Sequence, residues 1–187
     1  MSSATAAVSQ GYVRFAGCCY LLIIALGLFA ETQVRGSLIV AGDASATAAQ
    51  IGAASTLWRS GIVADLCMQL LDIPIIVLFY LLFKRVNAAL NLTATGFNLI
   101  QTAVLVANKL TLMLPLLLAG SGAYLAAFST EQRDALAYLA IQLHGYGFAI
   151  GLLFFALACV IRGYLIIQSQ FFPQILGLML GLAGVCY

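Results

Sequence analysis

Apolar residues in this chain do not alternate, and they do not form narrow amphipathic stripes. They gather into runs long enough to cross a bilayer, each needing about 20 mostly apolar residues. Five such runs predict five helices. Helix 1 covers about 12–34, helix 2 about 57–83, helix 3 runs from near Ala88 to about Leu118, helix 4 covers about 133–161, and helix 5 starts after Pro173. The segment 88–118 reads as one helix, because no turn former sits at Asn108-Lys109. The run after Pro173 is too short to span, which predicts a longer protein with a sixth span. The predicted fold class is therefore an all-α polytopic transmembrane bundle of about five spans, the last incomplete. Residues 1–10 read as a disordered N-terminus and 11–187 as a single transmembrane helical domain. Within it, 36–56 forms an extracytoplasmic loop or interfacial helix, with Asp43 as N-cap of a short helix over 44–54.

Polar residues inside these runs carry more information than the apolar ones. In hydrocarbon they are costly and turn toward the bundle interior. On helix 2, Asp65, Gln69 and Asp72 fall at i, i+4 and i+7, on one stripe. Helix 3 carries Asn91, Thr95, Asn98, Gln101 and Asn108 at spacings of three, four and seven. Packing stripe to stripe would hide both sets. Counting 1.5 Å per residue puts Asp65, Asn98, Gln101 and His144 at similar depth, as a candidate central cluster. Asp72 falls nearer the inner side, beside the bend that Pro74 would introduce by freeing the Leu70 carbonyl. Two cations are candidate ion-pair partners for Asp65. They are Arg59, and Lys109, whose position near the outer interface also suits snorkelling. Trp58 sits where an interfacial aromatic belt is expected. Gly147 and Gly151 on helix 4, and Gly177 and Gly181 on helix 5, are small-xxx-small pairs that allow close helix approach or a homo-oligomer.

Composition agrees with lipid as the solvent. Apolar types make up 64% of the chain and charged types 7%, against about a quarter in soluble domains. The net charge of +2 excludes a nucleic-acid partner as an expectation. The partner is the bilayer of a cell membrane. With the N-terminus cytoplasmic, Arg14, Lys84, Arg85 and Arg162 lie inside and Arg35, Arg59 and Arg133 outside. Leu28 and Ala30 make a poor cleavage site, so helix 1 reads as an uncleaved anchor. The five cysteines show no CxxC or Cys/His spacing, and His144 is the sole histidine. Neither a metal nor a cofactor is expected.

Three stretches together resemble a known family. "LWRSGIVADLCMQLLDIPIIVLFYLLFKRVN" (57–87), "LHGYGFAIGLLFFALACVIRGYLI" (143–166) and "SQFFPQILGLMLGLAGVCY" (169–187) are similar to the prokaryotic membrane family known as domain of unknown function 4386. The resemblance extends from about Gly11 to Tyr187 and implies a multi-pass inner-membrane bundle without assigned activity. Arg59, Asp65, His144, Gly147, Phe148 and Pro173 match its motif residues. Asn98 departs from it, since the family carries a basic residue in that region. That departure weakens an Asp–Arg pairing between helices 2 and 3.

Three functions remain open on the sequence. In the first, a polar cavity lined by Asp65, Gln69, Asp72, Asn98, Gln101 and His144 binds, transports or senses a small molecule or lipid. In the second, the protein is a structural or accessory subunit whose polar groups fix helix register. In the third, an intramembrane enzyme uses His144 as base with Asp65 orienting it, although no nucleophile accompanies them.

Overall fold

The computed structural model describes residues 8–187. The expectation of disorder over 1–10 falls, for residues 1–7, outside the described residues. The elements are helical throughout the described chain. Helix α1 (Gln10–Leu28) continues without a break through a π-helical stretch (Phe29–Arg35) into the short α2 (Gly36–Leu38). Then follow α3 (Ala44–Ala53), α4 (Ser55–Phe83), α5 (Ala88–Leu118), a 3₁₀ turn (Ala123–Ala127), α6 (Thr130–Ser169) and α7 (Gln174–Cys186).

Local chemistry explains the helix ends. The Asp43 carboxylate accepts the Ala46 N–H at 2.8 Å and starts α3. Asn87 does the same for α5 through Leu90 N–H at 3.0 Å. Ahead of α6, Ser129 and Gln132 form a reciprocal capping box, with Ser129 N–H donating to the Gln132 side chain at 2.9 Å. Past the end of α6, Gln170 adopts φ +54°, a left-handed conformation that stops the helix.

Four helices are long and apolar enough to cross a membrane: Gln10–Leu38, Ser55–Phe83, Ala88–Leu118 and Thr130–Ser169. Large apolar side chains on them stand uncovered, among them Leu70, Leu110 and Tyr146. In water such surface would aggregate, whereas in a bilayer it meets acyl chains. The protein is a multi-pass membrane bundle. Helix α6, at 40 residues, exceeds the length the sequence predicted. Arg162 had marked the end of that span as a loop charge. Instead α6 runs on to Ser169 and Arg162 is buried, its guanidinium 4.7 Å from the Phe79 ring centroid. An exposed belt position for Trp58 is likewise corrected. Its ring lies in the core with Val34, Leu38, Ile51, Ile62, Leu112 and Ile141, and its N–H donates to the Leu112 carbonyl at 2.8 Å. That bond satisfies the one polar atom of the ring, so full burial is affordable.

The chain packs as two compact units. One comprises residues up to Leu22 with Leu71–Val104 and Ala149–Tyr187, and the other Ile23–Leu70 with Leu105–Phe148. The first centres on Phe83, Leu165 and Ile166, and the second on the Trp58 cluster. In the first unit α7 rests on α6. A Cβ at Gly163 would lie 2.5 Å from the Gly177 carbonyl and 2.8 Å from the Gly181 nitrogen. Gly163 and Gly177 therefore require glycine for backbone-to-backbone approach within this chain, whereas a Cβ at Gly181 would meet open space.

Candidate functional site

The site lies in the second unit, Ile23–Leu70 with Leu105–Phe148, and is built on Asp65 of α4. This side chain is 4% exposed and accepts from two cations at once. Arg35 Nη1 reaches its Oδ2 at 2.7 Å, and Lys109 Nζ reaches the same oxygen at 2.9 Å. Arg35 Nε also donates to Glu31 at 2.8 Å, although the Glu31 side chain is 71% exposed. A carboxylate in a membrane span is tolerable only when paired in this way.

Arg35 was assigned to a loop by sequence, and the reason it reaches Asp65 is local. The first span does not end before it. Instead the π-helical stretch Phe29–Arg35 is closed by Gly36 N–H donating to the Glu31 carbonyl, five residues back. The wider π turn carries Arg35 inward, and such stretches often mark functional sites. Nothing in residue types alone announces a π turn, which is why Arg35 was missed. Gly61 of α4 leaves room for this approach, since a Cβ there would lie 2.8 Å from Val34.

Lys109 does not snorkel. It is 5% exposed, and its ammonium is held on Asp65 rather than at an interface. Arg59 is exposed and pairs with no acid among the described residues. The pairing with Asp65 that Asn98 put in doubt is made by a different cation of α5, Lys109.

His144 of α6 is buried beside this cluster and is held by Asn108. The Asn108 amide Nδ2 donates to the His144 carbonyl at 2.8 Å and lies 3.0 Å from Nδ1. An acceptor Nδ1 puts the proton of the neutral ring on Nε2. Nε2 has no bond among the described residues. Gly147 makes this possible, because a Cβ there would collide with the Asn108 side-chain oxygen. Sequence spacing read Gly147 as a helix-packing glycine, yet its contact is this amide. Gly151 is buried on the same helix.

These groups line a cavity of about 650 Å³. Its buried floor is Asp65, Gln69, Lys109 and His144, with Arg35 beside them. Gly27, Ile39, Met68 and Ile141 supply apolar wall, and Glu31, Gly145 and Phe148 form an exposed rim. The buried Gln69 Oε1 has no hydrogen-bond donor. Among the described residues no group of His, Cys, Asp and Glu side chains could hold a metal.

The remaining predicted residues belong to the other unit. Asn98 Nδ2 donates to Gln101 Oε1 at 2.9 Å, one turn along α5. Asp72 is half-buried and accepts from Thr102 at 3.2 Å. None of these three lines the cavity that holds Asp65 and His144. In the same unit Arg162 is buried with Nε and Nη2 unbonded.

The chain matches the family described as "Domain of unknown function (DUF4386)" over residues 15–187, and it belongs to that family. No curated protein and no solved structure matches it.

Proposed function

We propose that this member of the family binds a small molecule or lipid in the Asp65–His144 cavity, as part of transport or sensing. The observation that supports it is a roomy cavity within membrane-spanning helices whose floor is charged. Pockets that take small ligands have volumes of about 300–1,000 Å³ and few, convergent polar groups, and about 650 Å³ falls in that range. His144 Nε2 and the spare N–H groups of Lys109 are unpartnered at the floor and available to an occupant. The proposal includes residence in the cell membrane with the N-terminus cytoplasmic, in line with the exposed Lys84-Arg85 pair between α4 and α5. It also allows self-association through small-residue faces, since a Cβ at Gly181 would meet open space. The experiment is a thermal-shift screen of the purified chain against a broad ligand panel, repeated on Asp65→Asn and His144→Ala. A ligand that stabilises the parent and loses its effect in both variants is expected. Profiles unchanged across the panel would overturn the proposal and leave an accessory subunit, in which the ion cluster only fixes helix register.

A further inference from the structure

The cavity lining carries two cations and two acids, but they are unevenly placed in depth. Arg35 and Lys109 bring two cations, and Asp65 is the one buried acid between them. Glu31 is the fourth charge, but it stands exposed at the rim and engages only Arg35 Nε. Donors are in excess. Lys109 offers three N–H groups and uses one at 2.9 Å. The Arg35 Nη2 contact with Asp65 is stretched to 3.5 Å, and His144 Nε2 adds a further free position. A floor on which two cations share one buried acid and N–H groups stay unused is complementary to one further anionic group.

The walls say what the charge is attached to. Above the floor the lining turns apolar through Ile39, Met68, Ile141 and Phe148. Phe148 and Gly145 stand exposed at the rim, on a helix whose neighbouring outward side chains, Leu143 and Tyr146, are themselves large, exposed and suited to acyl chains. From this we infer that the occupant is an amphiphile with a single negative charge on its head group. Its head lies on Lys109, Arg35 Nη2 and His144 Nε2, and its chain leaves past Met68 and Phe148. The inference rests on the binding role proposed above and specifies its ligand.

The test uses the full chain in nanodiscs of neutral phosphatidylcholine. Oleate, phosphatidylglycerol, oleyl alcohol, dodecyltrimethylammonium and butyrate are titrated as probes, with melting temperature and direct binding as readouts. Oleate or phosphatidylglycerol is expected to bind and stabilise, and the stronger of the two identifies the source as a free fatty acid or a phospholipid. Oleyl alcohol, the cation and butyrate are expected to bind about tenfold or more weakly, the equivalent of one charge-assisted contact. Lys109→Gln is expected to weaken the anion by a similar factor. In case that variant fails to fold, Gly145→Leu provides a second check, because a Cβ at Gly145 meets nothing within 4 Å. That substitution has room at its Cβ and is expected to fill the rim and weaken binding, with circular dichroism checking that the fold is kept. Oleyl alcohol or the cation binding as well as oleate overturns the inference while leaving a cavity that binds ligands. Anion binding undisturbed in both variants also overturns it. Failure of these probes and of every ligand in the broader panel overturns both proposals together.

Discussion

Asp65→Asn tests the reasoning about the ion cluster most directly. Asparagine keeps the shape of the side chain, so no cavity is created and the effect is electrical. The carboxylate is the shared acceptor of Arg35 at 2.7 Å and Lys109 at 2.9 Å, on a side chain only 4% exposed. Removing its charge strands the buried Lys109 and leaves half-buried Arg35 with Glu31 alone. Breaking a buried pair from one side costs about 3–5 kcal/mol. For a chain of this length 1 kcal/mol corresponds to about 2–4 °C, so the melting temperature is expected to fall by about 6–20 °C. The assay is thermal unfolding of the purified protein in one detergent, followed by circular dichroism. The double variant Asp65→Asn with Lys109→Gln removes the stranded cation. It is expected to recover about 1–3 kcal/mol relative to the sum of the single changes, as neighbours in one network do. A fall of under about 2 °C for Asp65→Asn, or strict additivity in the double variant, would refute the view that these three charges are coupled.

Other consequences follow from single contacts. Gly147→Ala drives a methyl into the Asn108 amide and is expected to cost about 1–3 kcal/mol by overpacking. It should also shift the His144 ring resonances in NMR, as the amide leaves Nδ1. Trp58→Phe removes the 2.8 Å bond to the Leu112 carbonyl, and a lost net hydrogen bond of about 1 kcal/mol is expected on top of the smaller ring. Urea unfolding of Trp58→Phe in detergent measures that loss. Gly163→Leu cannot coexist with backbone atoms of Gly177 and Gly181 within 3 Å of the added Cβ. It is expected to release α7 and raise the rate of maleimide labelling at Cys159, which is buried beside Gly184 of α7, with Gly17→Leu, at a site with open space, as the silent control.

Much of the fold was legible because lipid-facing helices are written in long apolar runs. The bounds of α5, Ala88–Leu118, could be read directly, since a run of that kind ends where its apolar residues end. Boundaries failed where charge was taken as a sign of a loop. Arg35 and Arg162 were placed beyond the membrane-spanning runs, and both are held inside the bundle, while Lys109, read as a partner of Asp65 or as snorkelling, lies on Asp65. A hydropathy window registers only the cost of a charge, and the partner that offsets this cost comes from another helix. The polar stripe on α4 was a sound pointer to a buried face, as Asp65 and Gln69 line the cavity. The depth count was a weaker guide. It grouped Asn98 and Gln101 with Asp65 and His144, whereas Asn98 bonds to Gln101 on its own helix. Depth fixes height along the bundle but not the direction in which each helix faces.

The Asp65 cluster also bears on the choice between a binding role and a purely structural one. Interhelical polar contacts that only set register reach their lowest energy when every donor meets an acceptor, since an unpaired group in hydrocarbon is costly. Trp58 and Thr47 follow that rule, whereas Asn91 Oδ1, Asn98 Oδ1 and Arg133 Nε are buried without a partner away from this cavity. The Trp58 N–H is bonded to Leu112, and the Thr47 hydroxyl, also buried, both donates to the Val40 or Asp43 carbonyl and accepts from the Val40 N–H. The cavity floor departs from it, with spare N–H groups on Lys109, a stretched Arg35 contact and a His144 Nε2 without a bond among the described residues. Arg162 leaves donors unbonded in the other unit too, but it is sealed against Phe79 rather than opening on a cavity. What sets the floor apart is that its unused N–H groups border open volume, and this is the basis of the binding role proposed above. The same donors stabilise the helices through Asp65 and remain available to a ligand. On the binding role proposed above, an anionic occupant is expected to raise the melting temperature of the parent chain, and Lys109→Gln is expected to reduce that effect.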